Sequence, residues 1–181
     1  MKLDALRAAV VVVDAQVRLA AAMPPETVAR TVKYVRALLA CARELGLPVL
    51  ASEQYPRGLG PMLAEIRELL PSAPFQKLHF SCADEAAFSA ALSASGRRQI
   101  VIAGMETHVC VYLTARDLVA TGHEVHVCAD AVSSRTEEHR RVGLEMCRAA
   151  GAIVTTAETS IFDLLGVAKT AAFDRVAPFV K

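Results

Sequence analysis

The sequence predicts an α/β fold, a three-layer α/β/α arrangement around a six-stranded parallel sheet in the Rossmann-like order 3-2-1-4-5-6. Three observations carry this expectation. Short apolar, β-branched runs alternate with amphipathic helical stretches from end to end. The first run, AAVVVV at residues 8–13, is apolar on both faces, as a central parallel strand must be. No repeat, low-complexity segment or linker interrupts the alternation, so residues 1–181 read as one domain. Successive parallel strands each need a right-handed helical crossover, and 3-2-1-4-5-6 is the common order for six of them.

The elements follow in chain order. Residues 27–46 carry Val28, Val32, Val35, Leu38, Leu39, Ala42 and Leu45 at helical spacing, with Gly46 as the C-cap. PVLAS (48–52) is the second strand, Leu63–Leu70 a short helix and Phe75–Leu78 the third strand. A helix capped by Asp84 runs to Leu92. Gln99–Ala103 is the fourth strand, and Val109–Thr121 the helix after it, closed by Gly122. EVHVCAD (124–130) is the fifth strand. Ser134 and Glu137 have the spacing of a capping box that opens a helix ending at Gly151. AIVTT (152–156) is the sixth strand, and a short helical region closes the chain.

Composition narrows the function classes. The hydrophobic fraction is 54% and mean hydropathy +0.35, which excludes a disordered chain. No apolar stretch reaches the roughly 18 residues of a membrane-spanning helix, and no signal-peptide pattern is present. A cytoplasmic protein with no membrane partner is therefore expected. With 20 basic against 19 acidic residues and only short pairs such as Arg97–Arg98 and Arg140–Arg141, no nucleic-acid partner is expected either. Five cysteines, an odd number without C-x-x-C spacing, read as free thiols in a reducing compartment. Cys41, Cys128 and Cys147 fall on regular elements and read as core. Cys82, five residues past Lys77, is either core or a second reactive thiol.

The expected order brings the first and fourth strands side by side, where ligands bind beyond the carboxyl ends. Asp14 ends the first strand and GMETHVC follows the fourth, so Asp14 meets Cys110 across 96 residues of sequence. Asp14 is a turn residue or an active-site acid. Lys77, at the carboxyl end of the third strand, is a solvated lysine or the cation that balances Asp14. Cys110 is a small core hydrophobe or, in the first turn of its helix, a thiol that the helix dipole biases toward thiolate. In the second case the sulfur can attack a carbonyl while amides of the preceding turn hold the oxyanion.

VVVDAQ, SEQYPRGLG, K-x-x-FS, GMETHVCVYLTA and ADAVSSR together resemble the isochorismatase-like cysteine hydrolase superfamily, and within it the isochorismatase domain-containing group. The resemblance runs from about residue 8 to about residue 165, in the family's order. It implies a catalytic Asp14, Lys77 and Cys110: Asp14 as general base, Lys77 keeping the carboxylate ionised and lowering the thiol pKa, and Cys110 forming a thioester. It also implies a cis peptide at Met105–Glu106, oxyanion donation by the amides of Glu106 and Cys110, and assembly as a homo-oligomer.

Departures from the superfamily refine this. Nicotinamidases carry an Asp-x-His-x-x-x-x-His metal motif after the second strand, but SEQYPRGLG has no histidine. No metal and no other cofactor is therefore expected, and nicotinamide is a poor candidate substrate. The presence of Cys110 favours C–N amide chemistry over enol-ether cleavage. Position on the carboxyl edge nominates Gln16, Gln54, Tyr55, Phe80 and Thr107 as substrate contacts, with Glu53, Ser81 and His108 beside them. His123 and His126 fall on opposite faces of a strand and do not make a metal pair. His139 reads as solvated.

The expected function is metal-independent cysteine hydrolysis of a small amide-like (C–N) or related metabolite through a thioester. The alternative is a non-catalytic relative that binds a metabolite or a protein partner. A nucleotide-binding domain is disfavoured, because DAQVRLA and not a glycine-rich turn follows the first strand.

Overall fold

The computed structural model describes residues 2–180. Six parallel strands form one sheet in the order β3-β2-β1-β4-β5-β6, as expected: β1 (Ala8–Val13), β2 (Val49–Gln54), β3 (Phe75–Lys77), β4 (Gln99–Met105), β5 (Glu124–Ser133) and β6 (Ile153–Thr155). Every residue of β1 is buried, because both faces of the sheet are covered. Val10 and Val12 pack with α2 (Pro25–Leu45), α8 (Ala157–Leu165) and α9 (Ala171–Val176). Ala9, Val11 and Val13 pack with α5 (Ala86–Ala94), α6 (Tyr112–Ala120) and α7 (Glu137–Ala149) on the other face. Among the described residues no helix is long and apolar enough to cross a membrane.

Several boundaries differ from the expectation for identifiable reasons. The short helices α1 (Val17–Ala21), α3 (Pro56–Leu59) and α4 (Ala64–Arg67) are one turn or little more, too brief for periodicity to reveal their extent. Asp84 does not cap α5. Instead Ser81 accepts from the Ala83 N–H and caps a 3-10 turn, Cys82–Asp84, and the side chain of Glu85 leaves the start of α5 uncapped. Ser134 is not the cap of α7 either. β5 runs on to Ser133, so the chain turns later and Thr136 accepts from the His139 N–H.

The register aligns the carboxyl ends of the three strands that matter. Val13 lies opposite Gly104, and Gln54 opposite Lys77. The β1–β4 approach depends on Gly104, at φ +125, where an added Cβ would meet the Val13 carbonyl oxygen at 1.9 Å. A side chain there must push the ends of β1 and β4 apart. Gly104→Ala is expected to lower unfolding stability by more than about 2 kcal/mol, read as a fall in the urea midpoint.

Candidate active site

Asp14 follows β1 directly and adopts a left-handed backbone, φ 44, with its N–H donated to the Ser52 carbonyl at 3.1 Å. Its carboxylate receives the Lys77 ammonium on Oδ2 at 2.6 Å and the Ser52 hydroxyl on Oδ1 at 2.7 Å. Lys77 also donates to Gln54 Oε1 at 2.9 Å and reaches the carbonyls of Phe80 at 3.1 Å and His79 at 3.2 Å. The side chains of both ions are fully buried. Burial, the largest single influence, depresses the lysine pKa, but the charge and hydrogen bond of Asp14 together with the neighbouring Cys82 and Cys110 sulfurs outweigh it and hold Lys77 above its ordinary value.

Cys110 sits in a single π turn, Thr107–Val111, between β4 and α6, and is 5% exposed. Its thiol lies within electrostatic reach of the Asp14 carboxylate. Burial first, and the Asp14 charge next, push the thiol pKa well above the ordinary value, against a smaller downward pull from Lys77. Lys77 pulls the thiol pKa down as expected, but burial and Asp14 outweigh it, so the net direction is upward and not toward the thiolate expected from the helix dipole. The α-helix proper begins only at Tyr112, and burial is the largest influence on the thiol, with the Asp14 charge second. The direction of the shift favours the neutral thiol at Cys110.

The Met105–Glu106 peptide bond is cis. The Glu106 carbonyl accepts from the Val109 and Val111 N–H groups, and its carboxylate pairs with Arg135 Nε at 2.9 Å. The remaining nominated residues divide into two sets. Gln16 and Gln54 serve the scaffold. The Gln16 amide donates to the Gln54 and Gly60 carbonyls and accepts from the Gln54 N–H, while Gln54 donates to the Leu78 carbonyl and accepts from Lys77. Glu53 accepts from the Met62 N–H. Tyr55 and Phe80 stand at the surface, 51% and 57% exposed, on either side of Lys77. Thr107 is buried, and its hydroxyl has no hydrogen-bond partner among the described residues. His108 contacts Ser134 through Nδ1 at 3.1 Å and stacks on His139, with ring centroids 4.4 Å apart, so the exposed His139 is not purely solvated.

A hollow of about 400 Å³ opens beside Lys77, lined by Tyr55, Arg57, Gln76, Leu78 and His79. A larger one, about 810 Å³, lies between α1, α2 and the C-terminal turn and shares no residue with this cluster, so volume alone misplaces the chemistry. No group of three or more His, Cys, Asp or Glu side chains among the described residues is arranged to hold a metal.

Sequence reasoning missed three residues here, Ser52, Thr114 and Gly143, and left the role of Cys82 open. Ser52 holds Asp14, Cys82 donates to Ser52 Oγ at 3.2 Å, and Thr114 accepts from the Cys82 N–H at 2.9 Å. Cys82 is thereby resolved as a fully buried thiol packed under the site, and Cys41, Cys128 and Cys147 are buried as expected. Gly143 is the third. A Cβ there would lie 2.7–2.8 Å from backbone atoms of Thr107 and His108, so α7 presses directly on the turn that carries Cys110. Period-2 alternation within SEQ could have marked Ser52, and a lone glycine inside a helical pattern could have marked Gly143.

Residues 8–159 match the family described as Isochorismatase domain. The chain belongs to the isochorismatase family. It is 40% identical over 144 residues to isochorismatase domain-containing protein 1 of Salmo salar, a match covering 80% of this chain and 51% of that protein. The chain thus spans about half the length of that relative. The secreted isochorismatase effector Isc1 of Phytophthora sojae is 36% identical over 149 residues, 80% of this chain and 71% of that one.

Among solved structures, the MAR1 ribonuclease of Caenorhabditis elegans superposes with a TM-score of 0.91 at 31% identity, covering 99% of this chain and 92% of that one. YcaC of Escherichia coli, described as an octameric hydrolase of unknown specificity, gives 0.90 at 27% identity over 99% and 89% of the two chains. YcaC of Pseudomonas aeruginosa, solved with hexane-2,5-diol and covalent acrylamide, gives 0.89 at 27% over 98% and 91%.

Two predictions follow from this geometry. Lys77→Met leaves Asp14 as an uncompensated buried charge and should cost about 3–5 kcal/mol at neutral pH, measured by urea unfolding. The loss should shrink as pH falls and the stranded carboxylate takes a proton. In the parent protein the raised Lys77 pKa contributes stability that is fully present below the ordinary lysine value of 10.5 and lost as pH rises through the folded value. Gly143→Ala should displace the Thr107–His108 backbone and slow alkylation of Cys110 by about ten- to a hundredfold, read by peptide mass spectrometry.

Proposed function

We propose that the chain is a metal-independent cysteine hydrolase of a small amide-like (C–N) or related metabolite, with Cys110 as nucleophile, Asp14 as general base and Lys77 as its counter-ion. One observation carries the reading: a fully buried carboxylate, fixed by Lys77 at 2.6 Å, lies close enough to the buried Cys110 thiol for its charge to act on the sulfur. Asp14 takes the proton from Sγ as the sulfur attacks the carbonyl carbon. The amides of Glu106 and Cys110 stabilise the oxyanion. Collapse expels the amine, which leaves with the proton held by Asp14, and the thioester remains. Asp14 then deprotonates a water that attacks the thioester, and the thiol departs with that proton. Lys77 stays charged throughout and offsets the carboxylate each time it re-forms.

The relatives support this class. The P. aeruginosa structure contains covalent acrylamide, a thiol-seeking electrophile that is itself a small amide. The E. coli relative is named a hydrolase and an octamer, which supports a homo-oligomer here, with the exposed Tyr55, Leu78 and Phe80 available to a substrate or a second copy. The C. elegans relative is named a ribonuclease. Here the near-balance of 20 basic and 19 acidic residues, with Arg135 already paired to Glu106, favours a small molecule over RNA. A metal is disfavoured because Gln54, at the end of β2, already serves Lys77.

A panel of small amides, esters and enol ethers tests the proposal. Turnover is expected on amides, insensitive to chelators and reduced at least about a thousandfold in Cys110→Ala. Activity that survives Cys110→Ala, or that disappears with a chelator, overturns it. Saturable ligand binding without turnover in the parent chain would instead select the non-catalytic alternative.

A further inference from the structure

We propose that Ser52 is a positioning residue for Asp14, oriented by a one-way hydrogen-bond chain that starts at the buried thiol of Cys82. This rests on the hydrolase reading above and extends it to residues that do not touch substrate.

Ser52 holds Asp14 at two points. Its carbonyl accepts the Asp14 N–H at 3.1 Å and its hydroxyl donates to Oδ1 at 2.7 Å. A hydroxyl has one proton, and its direction decides whether the carboxylate is held. That direction is set from behind. The Cys82 thiol donates to Ser52 Oγ at 3.2 Å, which fills an acceptor position on the oxygen and sends the serine proton toward Asp14. Burial pushes the Cys82 pKa up, consistent with a thiol that keeps its proton and donates it. Cys82 is itself anchored to Thr114 of α6 through its N–H at 2.9 Å. The chain therefore links the helix that continues from the Cys110 turn to the acid that faces Cys110.

Asp14, Ser52, Cys82 and Thr114 are all fully buried, so no solvent replaces a missing member. With Lys77 on Oδ2 and Ser52 on Oδ1, the carboxylate cannot rotate without losing a bond. Donation from Ser52 also favours the ionised carboxylate, the form that accepts the thiol proton.

The test is the pH dependence of Cys110 alkylation by acrylamide, located by peptide mass spectrometry, in the full chain and in Ser52→Ala, Ser52→Thr and Asp14→Asn, each checked for folding by circular dichroism. Ser52→Ala should slow alkylation at neutral pH about ten- to a hundredfold, the worth of a hydrogen bond to a charged group. It should also move the acid limb of the profile to higher pH. Ser52→Thr, which keeps the hydroxyl, should restore both.

An unchanged profile in folded Ser52→Ala overturns the proposal. So does a uniform slowing without a shift that Ser52→Thr fails to rescue, which would mark a merely structural role. If Ser52→Ala does not fold, Ser52→Cys, nearly isosteric and a weaker donor, decides: a shift of the acid limb supports positioning, and none overturns it. Asp14→Asn separates the two readings. If it leaves alkylation unchanged, the hydrolase reading fails. If it slows alkylation while Ser52→Ala does not, only the role of Ser52 fails.

Discussion

The desolvated ion pair between Asp14 and Lys77 is the constraint around which the carboxyl edge of the sheet is organised. Two charges taken wholly out of water are tolerated only when every remaining donor and acceptor is met. Lys77 has Asp14, Gln54 and two backbone carbonyls around it, and Asp14 has Ser52 on its second oxygen. Satisfying the ammonium dictates the path of the chain after β3. The carbonyls of His79 and Phe80 turn inward to it, and the side chains of Leu78 and Phe80 are left 73% and 57% exposed. Apolar exposure at the entrance is thus a consequence of how the charge is solvated inside.

The second organising feature is close backbone approach at two glycines. Gly104 lets β4 lie against the last carbonyl of β1, and Gly143 lets α7 lie against the Thr107–His108 backbone. One sets the separation of the strand ends that carry the acid and the thiol. The other holds the thiol's turn from the opposite side. Neither glycine bears chemistry, yet the distance between Asp14 and Cys110 is controlled by both. The positive φ of Asp14 belongs to the same problem, since the carboxylate must leave the strand direction at once to meet its partners.

Much of this was legible in the sequence. AAVVVV reads as a strand covered on both faces because no polar residue breaks it, and the expected strand order alone brings Asp14 and Cys110 together. Lys77 is harder to read, because a lysine at a strand end is usually solvated; its position made it a candidate cation for Asp14, and the family resemblance favoured that reading. Ser52 and Thr114 were not legible. Short hydroxyl side chains are common in strands and helices, and their role appears only when a buried acceptor lies opposite. The caps failed for a related reason. Ser134 has the right spacing to Glu137, but the ladder of β5 holds the chain extended to Ser133 and passes the capping role to Thr136. Local spacing competes with sheet pairing, and here sheet pairing prevails.

The direction of the Cys110 shift changes how the proposed chemistry is understood. A low-pKa thiolate would be abundant but a weaker nucleophile, because sulfur nucleophilicity falls with basicity. A thiol whose pKa is raised by burial and by Asp14 has the opposite balance: it is inert at rest and strongly nucleophilic once its proton moves. In the proposed cycle the carboxylate that helps to raise the pKa is also the group that removes the proton, which confines activation to the moment of attack. The same basicity makes the sulfur a poor leaving group from the thioester, and there Asp14 must act again by returning a proton. An acid–base residue held at both oxygens, rather than a permanently ionised sulfur, is what such a cycle requires. Lys77 and Ser52 provide that hold.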